Sequence, residues 1–103
     1  MPGRALNNAR RLYLCSYDVA DDKRRDKLAD LLLDHGERIQ YSVFLCELDR
    51  REHVGLVAAS GSIIHHQEDQ LIILDIGPAG LDWPLHLKCV GRIWTPLVRS
   101  SII

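Results

Sequence analysis

The chain has 103 residues, of which 47% are hydrophobic and 26% are charged. This size and composition predict one soluble globular domain, and no apolar run is long enough to cross a bilayer. The formal net charge of −1 excludes a uniformly basic nucleic-acid-binding protein, so any phosphate-binding surface must come from local clusters of cations.

The cysteines and the N-terminal segment indicate the compartment. Three widely spaced cysteines with no C-x-x-C pattern argue against a disulfide framework. Cys15 and Cys46 lie in apolar runs, where a thiol behaves as a small buried hydrophobe. Residues 1–10 predict a flexible polar lead-in, and no signal-peptide apolar region follows it. We therefore expect a cytoplasmic protein.

The first predicted elements are a strand and a helix. Residues 11–19 are rich in apolar and aromatic side chains and predict a strand. Residues 22–35 have the periodicity of an amphipathic helix, with Asp21 or Asp22 available to cap its N-terminus. Gly36 is expected to stop this helix at its C-terminus.

The middle of the chain predicts more strand and a second helix. Residues 38–48 are rich in β-branched and aromatic residues, and they form either one long strand or two short strands kinked near Ser42. Residues 50–64 predict a helix, although two glycines weaken it. The residues that define its apolar spacing are Val54, Val57, Ala58 and Ile64.

Two further strands are predicted near the C-terminus, at residues 70–76 and 87–94. The resulting order favours an α+β fold: a ferredoxin-like βαββαβ arrangement with an additional C-terminal strand. We expect a flexible extension at 1–10, the folded domain at 11–95 and a tail at 96–103.

Asp18 is the first candidate for chemistry, because it closes the first strand just before a cationic helix start. Mg²⁺ needs only one or two protein carboxylates and keeps several waters. A single Asp18 would supply only one carboxylate, whereas a two-fold dimer would bring two Asp18 carboxylates together. The alternative is a turn residue or a helix cap. The clustered N-terminal cations are Arg10, Arg11, Lys23, Arg24, Arg25 and Lys27.

Helix periodicity places Arg25 on the core-facing side, at the helix end nearest Asp18. Positive charge in the first turn opposes the helix dipole. The cations there are therefore explained either by visiting phosphate groups or by a local cluster of salt bridges. Phe44 either packs or contacts nucleic acid, with packing favoured, and the pair His65–His66 predicts a solvated loop rather than a metal site.

Two segments together resemble a known family. Tyr17-Asp18-Val19-Ala20-Asp21-Asp22-Lys23-Arg24-Arg25-Asp26-Lys27-Leu28, followed by Gly36-Glu37-Arg38-Ile39-Gln40-Tyr41-Ser42-Val43-Phe44, is similar to the small CRISPR-associated endonuclease of the adaptation module. That family is the smaller of the two core spacer-acquisition proteins. The resemblance covers residues 11–95 and departs from the family at both ends of the chain.

The resemblance implies a ferredoxin-like homodimer whose last strand crosses to the partner subunit's sheet. It implies that Asp18 is the catalytic, metal-binding aspartate, with Mg²⁺ or Mn²⁺ as the cofactor. It also implies endonuclease activity on RNA or double-stranded DNA, and a scaffold formed with the CRISPR integrase. The resemblance places Arg25, Arg38, Ser42 and Phe44 at or near the nucleic acid, and Arg24 is expected there as part of the cationic helix start.

Three alternatives stay open at this point. The dimer could be a non-catalytic scaffold that grips duplex DNA and bridges integrase subunits. The chain could also be a toxin-like ribonuclease of similar fold, or a ferredoxin-like domain that senses a small molecule.

Overall fold

The computed structural model describes residues 9–95 of the chain. Within them, the elements follow the order βαββαβ and end in a short 3-10 helix, which confirms the predicted ferredoxin-like α+β fold. The elements are β1 (Arg11–Asp18), α1 (Asp22–Leu33), β2 (Gly36–Gln40), β3 (Val43–Leu48), α2 (Arg50–Ile63), β4 (Gln70–Pro78) and the 3-10 helix (Trp83–His86).

The four strands form one antiparallel sheet in the order β2-β3-β1-β4. Because β3 is antiparallel to both β1 and β2, the last residues of β1 and β2 lie at the same end of the sheet. Asp18 faces Gln70, the first residue of β4, and the turn after β2 lies beside them. We call this region, with the start of α1, the Asp18 end of the sheet.

The core lies between the helices and one face of the sheet. Alternate residues of β1, namely Tyr13, Cys15 and Tyr17, point into it, so Leu14, Ser16 and Asp18 belong to the opposite face. The other core residues are Val19, Leu28, Ala29, Leu32, Phe44, Cys46, Leu48 and Leu56. The burial of Cys15 and Cys46 confirms their predicted role as small hydrophobes.

Helix α1 begins as the sequence predicts but ends for a different reason. Asp21 is its N-cap and accepts a hydrogen bond from the Arg24 amide. Gly36 is not a left-handed C-terminal stop, because its φ is not positive and it already belongs to β2. A Cβ there would lie 2.1 Å from the Leu45 carbonyl oxygen and 2.7 Å from the Cys46 Cα. Close strand approach therefore requires this glycine.

The segment that the sequence left open forms two strands. Tyr41 and Ser42 make the turn between β2 and β3. This turn is tied to the end of β1, because the Tyr17 amide donates to the Ser42 carbonyl at 3.1 Å and the Tyr17 hydroxyl donates to the Tyr41 carbonyl at 3.2 Å. The kink is thus fixed beside Asp18.

Helix α2 forms as predicted, but the apolar residues whose spacing predicts it are not the ones that it buries. Val54 and Val57 are exposed, whereas Leu56 and Ser60 are buried. Ser60 tolerates burial because its hydroxyl donates to the Val57 carbonyl at 3.0 Å, which satisfies its polar group inside the helix.

The predicted last strand does not form in this structure. Residues 87–94 are irregular and follow the 3-10 helix. At the other end, Arg10, which the sequence assigned to the extension, is bound to the domain through the Glu52 carboxylate and the Glu47 carbonyl. The remaining extension, residues 1–8, and the tail at 96–103 lie outside the described residues. Among residues 9–95, no helix is both long and apolar enough to span a membrane.

Candidate metal and nucleic-acid site

Asp18 places an unengaged carboxylate at the rim of the helix-free sheet face. It is exposed, and within residues 9–95 its side chain forms no hydrogen bond or ion pair. Most other aspartates near this end have partners: Asp21 caps α1, Asp22 pairs with Arg25 and Asp69 pairs with Arg24. Asp18 is therefore neither the helix cap nor an ion-pair partner, which removes the simplest structural explanations for it.

The donor set of Asp18 fits a hard divalent cation only in part. Carboxylate oxygens are the ligands that Mg²⁺ prefers, and those of Asp18 are free to accept a cation. In the described part of the chain, no group of three or more His, Cys, Asp or Glu side chains could hold a metal ion. Within residues 9–95, Asp18 therefore offers a single free carboxylate and is not part of a set of three or more such ligands.

Arg38 is a cation with no counter-ion among the described residues. Its guanidinium lies over the ring of Phe44 at 5.0 Å and near the ring of Tyr41 at 5.5 Å. Its Nε is buried and has no hydrogen-bond partner in residues 9–95. Two aromatic rings therefore hold a charged group whose hydrogen-bonding capacity is unused, which is what a phosphate would require.

Phe44 packs in the core, as the sequence favours, and the prediction that its ring contacts nucleic acid needs correction. Its side chain is 0% exposed, and its ring packs against Tyr17 at a centroid distance of 5.9 Å. The ring can reach a ligand only through Arg38, which it supports. Ser42 is half-buried in the adjacent turn, and its carbonyl holds the Tyr17 amide. A direct contact between Ser42 and nucleic acid stays a prediction.

Arg24 and Arg25 are both engaged in ion pairs. Arg24 makes a two-pronged contact with Asp69, at 2.7 and 3.1 Å, and also reaches Glu68 at 3.3 Å. Arg25 pairs with Asp22 one turn earlier on α1. Their contacts with nucleic acid stay predictions, and the structure favours the local salt-bridge explanation for this cationic helix start.

The remaining arginines of the N-terminal cluster are paired in the same way. Arg10 binds Glu52 and Arg11 binds Asp75, both at the far end of the sheet. The cluster is contiguous in sequence but does not form one free basic patch. Arg25 and Arg38 share the Asp18 end of the sheet, yet both lie on the helix side, whereas Asp18 lies on the opposite side.

Asp69 is a residue of this region that sequence reasoning missed. The Arg24 guanidinium holds the pKa of its carboxyl well below the usual range. A hydrogen bond from Arg11 likewise lowers the pKa of Asp75. The acidic residue and its partner lie 45 positions apart, so only their position next to the predicted strand at 70–76 could have drawn attention to Asp69.

These lowered pKa values predict acid sensitivity. A carboxyl with a lowered pKa in the folded state stabilises the fold above its unfolded pKa of about 4, and that stabilisation is lost as the pH falls through the folded value. We expect the free energy of unfolding, measured with urea, to fall steadily from about pH 5 to pH 3. The Asp69→Asn variant should show a flatter dependence, and equal slopes would contradict this assignment.

His65 and His66 lie in the loop before β4, as predicted. The His65 Nδ1 accepts hydrogen bonds from the amides of Gln67 and Glu68, and the His66 ring contacts the Gly61 carbonyl. Both rings thus contribute to the structure of the turn.

The helix-free face of the sheet is apolar and uncovered near β4. Ile72, Leu74 and Ile76 are each about half exposed on this edge strand. Toward β2 the face is covered, because Leu12 and Leu45 are buried and line a cavity with Trp83. Asp18 borders the uncovered part, since β1 and β4 are neighbours.

Comparisons with known proteins identify a family and several relatives to which this chain is similar. The family model described as CRISPR associated protein Cas2 matches residues 11–81. A CRISPR-associated endoribonuclease Cas2 of Geobacter sulfurreducens is 36% identical over 92 residues, which cover 89% of this chain and 96% of the relative.

Two crystal structures have the same fold. One is a hypothetical protein, TT1823, from Thermus thermophilus, with 37% identity and a TM-score of 0.69 over 85% of this chain and 99% of that chain. The other is Streptococcus pyogenes Cas2 at pH 6.5, with 28% identity and a TM-score of 0.67 over 78% of this chain and 99% of that chain.

Proposed function

Because the chain belongs to the Cas2 family of CRISPR-associated proteins, we propose that it is a nuclease of CRISPR adaptation. It would act as a homodimer and hydrolyse phosphodiester bonds of RNA or double-stranded DNA with a divalent metal. The Geobacter sulfurreducens relative is named an endoribonuclease, which supports this activity class. The observation that carries the proposal is the unengaged Asp18 carboxylate beside an uncovered apolar sheet face.

A second copy of the chain is the proposed occupant of that face. Packing two copies of the face about a two-fold axis would bury Ile72, Leu74 and Ile76 and would bring the two Asp18 rims to one interface. The segment at 87–94 supports the same arrangement. Val90 is 94% exposed and Ile93 is 78% exposed, so the segment that carries them is free to pair as a strand with a partner's sheet and to bury these side chains there.

The site residues have separate tasks in this proposal. Asp18 from each protomer would hold Mg²⁺ or Mn²⁺, which polarises a phosphate oxygen and activates water when it is bound. Arg38, which lies on the helix side of the same end of the sheet, would bind phosphate groups of the nucleic acid through its guanidinium N–H groups, and Phe44 and Tyr41 would keep the guanidinium in place. Tyr17 would fix the turn at Ser42 next to Asp18.

A cleavage assay with the parent protein tests the activity. Labelled single-stranded RNA and duplex DNA would be incubated with Mg²⁺, Mn²⁺ or EDTA, and light scattering would report the oligomeric state. We expect a dimer that cleaves at least one substrate with Mg²⁺ or Mn²⁺ and loses the activity in EDTA. A monomer, or cleavage that EDTA does not affect, would contradict the proposal.

Replacing Arg38 by glutamine should weaken binding of RNA or duplex DNA by about tenfold or more, because hydrogen bonds to a charged group contribute about 1.5–3 kcal/mol. Lysine keeps the charge but not the planar stacking, so Arg38→Lys should recover only part of the affinity. Filter binding in EDTA measures the affinity without cleavage.

Arg50→Gln is the matched control for this change. Arg50 is exposed at the start of α2, at the far end of the sheet, and the substitution removes the same charge. An equal loss of affinity in both variants would show that net charge alone matters, and it would contradict a specific role for Arg38.

A non-catalytic scaffold is the second candidate. The exposed apolar residues Leu85, Val90 and Ile93 form a surface suited to a protein partner, for which we propose the CRISPR integrase. In this case, Asp18→Ala would leave spacer acquisition in cells intact, whereas Val90→Asp with Ile93→Asp would abolish it and prevent co-purification with the integrase. Loss of acquisition with Asp18→Ala alone would contradict a purely structural role.

A further inference from the structure

Asp69 is a fully buried carboxylate in which both oxygens accept two hydrogen bonds. Its side chain is 0% exposed. One oxygen, Oδ2, accepts from Arg24 Nε at 2.7 Å and from the His65 amide at 2.8 Å. The other, Oδ1, accepts from Arg24 Nη2 at 3.1 Å and from the Ala20 amide at 3.0 Å. All four acceptor positions of this group are therefore used.

These bonds fasten the loop that carries Asp18. Ala20 lies two residues after Asp18, in the connection between β1 and α1, and Arg24 lies in the first turn of α1. On the other side, Gln70 follows Asp69 directly and faces Asp18 in the β1–β4 pair. Asp18 is thus held from both sides by backbone that Asp69 immobilises.

We infer that Asp69, with Arg24 as its partner, is a positioning residue that fixes the direction of the Asp18 carboxylate. The inference deepens the proposed function, on which it rests for the role of Asp18. We call the hydrogen bonds that join Asp69 to Arg24 and to the amides of Ala20 and His65 the clamp. Arg24 belongs to this clamp rather than to a phosphate-binding site, because two carboxylates already occupy its guanidinium. If the β1–α1 connection were mobile, the Asp18 side chain would stay exposed, but its carboxylate would no longer keep one fixed direction.

The effect should follow the rule for groups that orient a metal ligand, whose loss typically lowers metal affinity or activity about 10- to 100-fold. In Asp69→Asn, the amide nitrogen replaces an oxygen that accepts two bonds, so one side of the clamp is lost. We expect a 10- to 100-fold lower Mn²⁺ affinity and a similar loss in kcat with KM unchanged.

Asp75→Asn is the matched control. Asp75 lies on β4, the strand that Asp69 directly precedes, and it likewise pairs with an arginine, Arg11 of β1, at 2.7 Å, but at the opposite end of the sheet. Three measurements would be made on the dimeric protein: Mn²⁺ binding by electron paramagnetic resonance, steady-state cleavage, and amide hydrogen exchange of residues 17–24. Circular dichroism would confirm that each variant is folded at the assay temperature, and Arg24→Gln provides a second variant if Asp69→Asn is unfolded.

The clamp predicts exchange at Val19–Asp22 that is at least about tenfold faster in Asp69→Asn or Arg24→Gln and unchanged in Asp75→Asn. Unchanged exchange, or unchanged Mn²⁺ affinity in a folded variant of a parent that binds Mn²⁺, would overturn the inference. A parent that neither binds Mn²⁺ nor cleaves would instead reject the proposed function. In that case the amide exchange rates of the Asp69→Asn and Arg24→Gln variants would test the clamp by themselves. Faster exchange would support the clamp, and unchanged exchange would overturn it.

The double variant separates the two roles of Arg24. If Arg24 acts through Asp69, adding Arg24→Gln to Asp69→Asn should change nucleic-acid affinity by less than about twofold. A further tenfold loss in that background would show a direct phosphate contact and would overturn the role assigned to Arg24.

Discussion

Replacing Asp18 by asparagine should lower metal-dependent cleavage at least about 100-fold, because the substitution removes the charge that holds the cation and keeps the shape of the side chain. Stability should change by no more than about 0.5 kcal/mol, since the Asp18 side chain is exposed and has no partner among residues 9–95. Single-turnover cleavage of RNA or duplex DNA, at several Mg²⁺ concentrations, would measure the effect.

Asp30→Asn is a suitable control, because Asp30 is exposed on the solvent side of α1 and carries the same charge. It should cleave at the parent rate. A half-saturating Mg²⁺ concentration that rises in Asp18→Asn, but not in the control, would link the loss to the metal. Equal rates for Asp18→Asn and the parent with the same metal would reject Asp18 as a metal ligand.

Replacing Gly36 by alanine should destabilise the fold by about 3 kcal/mol or more, the upper range for overpacking. The new Cβ would lie 2.1 Å from the Leu45 carbonyl oxygen and 2.7 Å from both Cα and Sγ of Cys46. Two of these atoms are backbone of β3, so relief requires β2 and β3 to separate. Urea unfolding would give the free-energy difference.

The Gly61→Ala substitution is expected to raise the free energy of unfolding, whereas Gly36→Ala lowers it. Gly61 lies in α2, and a Cβ there has nothing within 4 Å, so the change should stabilise the protein by up to about 1 kcal/mol through helix propensity and a less flexible unfolded chain. An unchanged urea midpoint in Gly36→Ala would show that the two strands tolerate a side chain there, which would contradict the close approach.

The fold was predictable because its elements have strong local signals. The alternation in β1 and the apolar spacing of Leu28 and Leu32 in α1 place both elements within one or two residues of their bounds. Where local signals were ambiguous, tertiary contacts decided. The turn at Ser42 depends on Tyr17, and the buried face of α2 depends on Leu56 and a self-satisfied Ser60.

From the sequence, the site could be predicted only as residues that lie near one another, and not as the contacts that they make. Sequence reasoning placed Asp18 at a strand end next to the start of a helix, which the structure confirms. It could not tell that Arg24 is engaged by Asp69, because that pair joins residues 45 positions apart. It favoured packing for Phe44, but it could not tell that the ring lies under Arg38, because the side that a strand residue faces depends on the sheet register.

The predicted last strand at 87–94 illustrates a different limit. Its apolar residues predict a strand, yet within the described chain it pairs with no other strand. A β-strand is stabilised by its neighbour, so a segment whose neighbour belongs to a second protomer has no reason to be extended in one chain alone. Strand exchange in the dimer stays a prediction.

The central claim is that two protomers bring their Asp18 carboxylates together to hold one divalent cation. A crystal structure of the dimer grown with Mn²⁺, with the metal located by its anomalous scattering, tests this claim most directly. We expect a Mn²⁺ ion at the two-fold axis, bound by Asp18 of both protomers. Dimers whose Asp18 side chains lie on remote outer surfaces, with Mn²⁺ bound elsewhere, would contradict it.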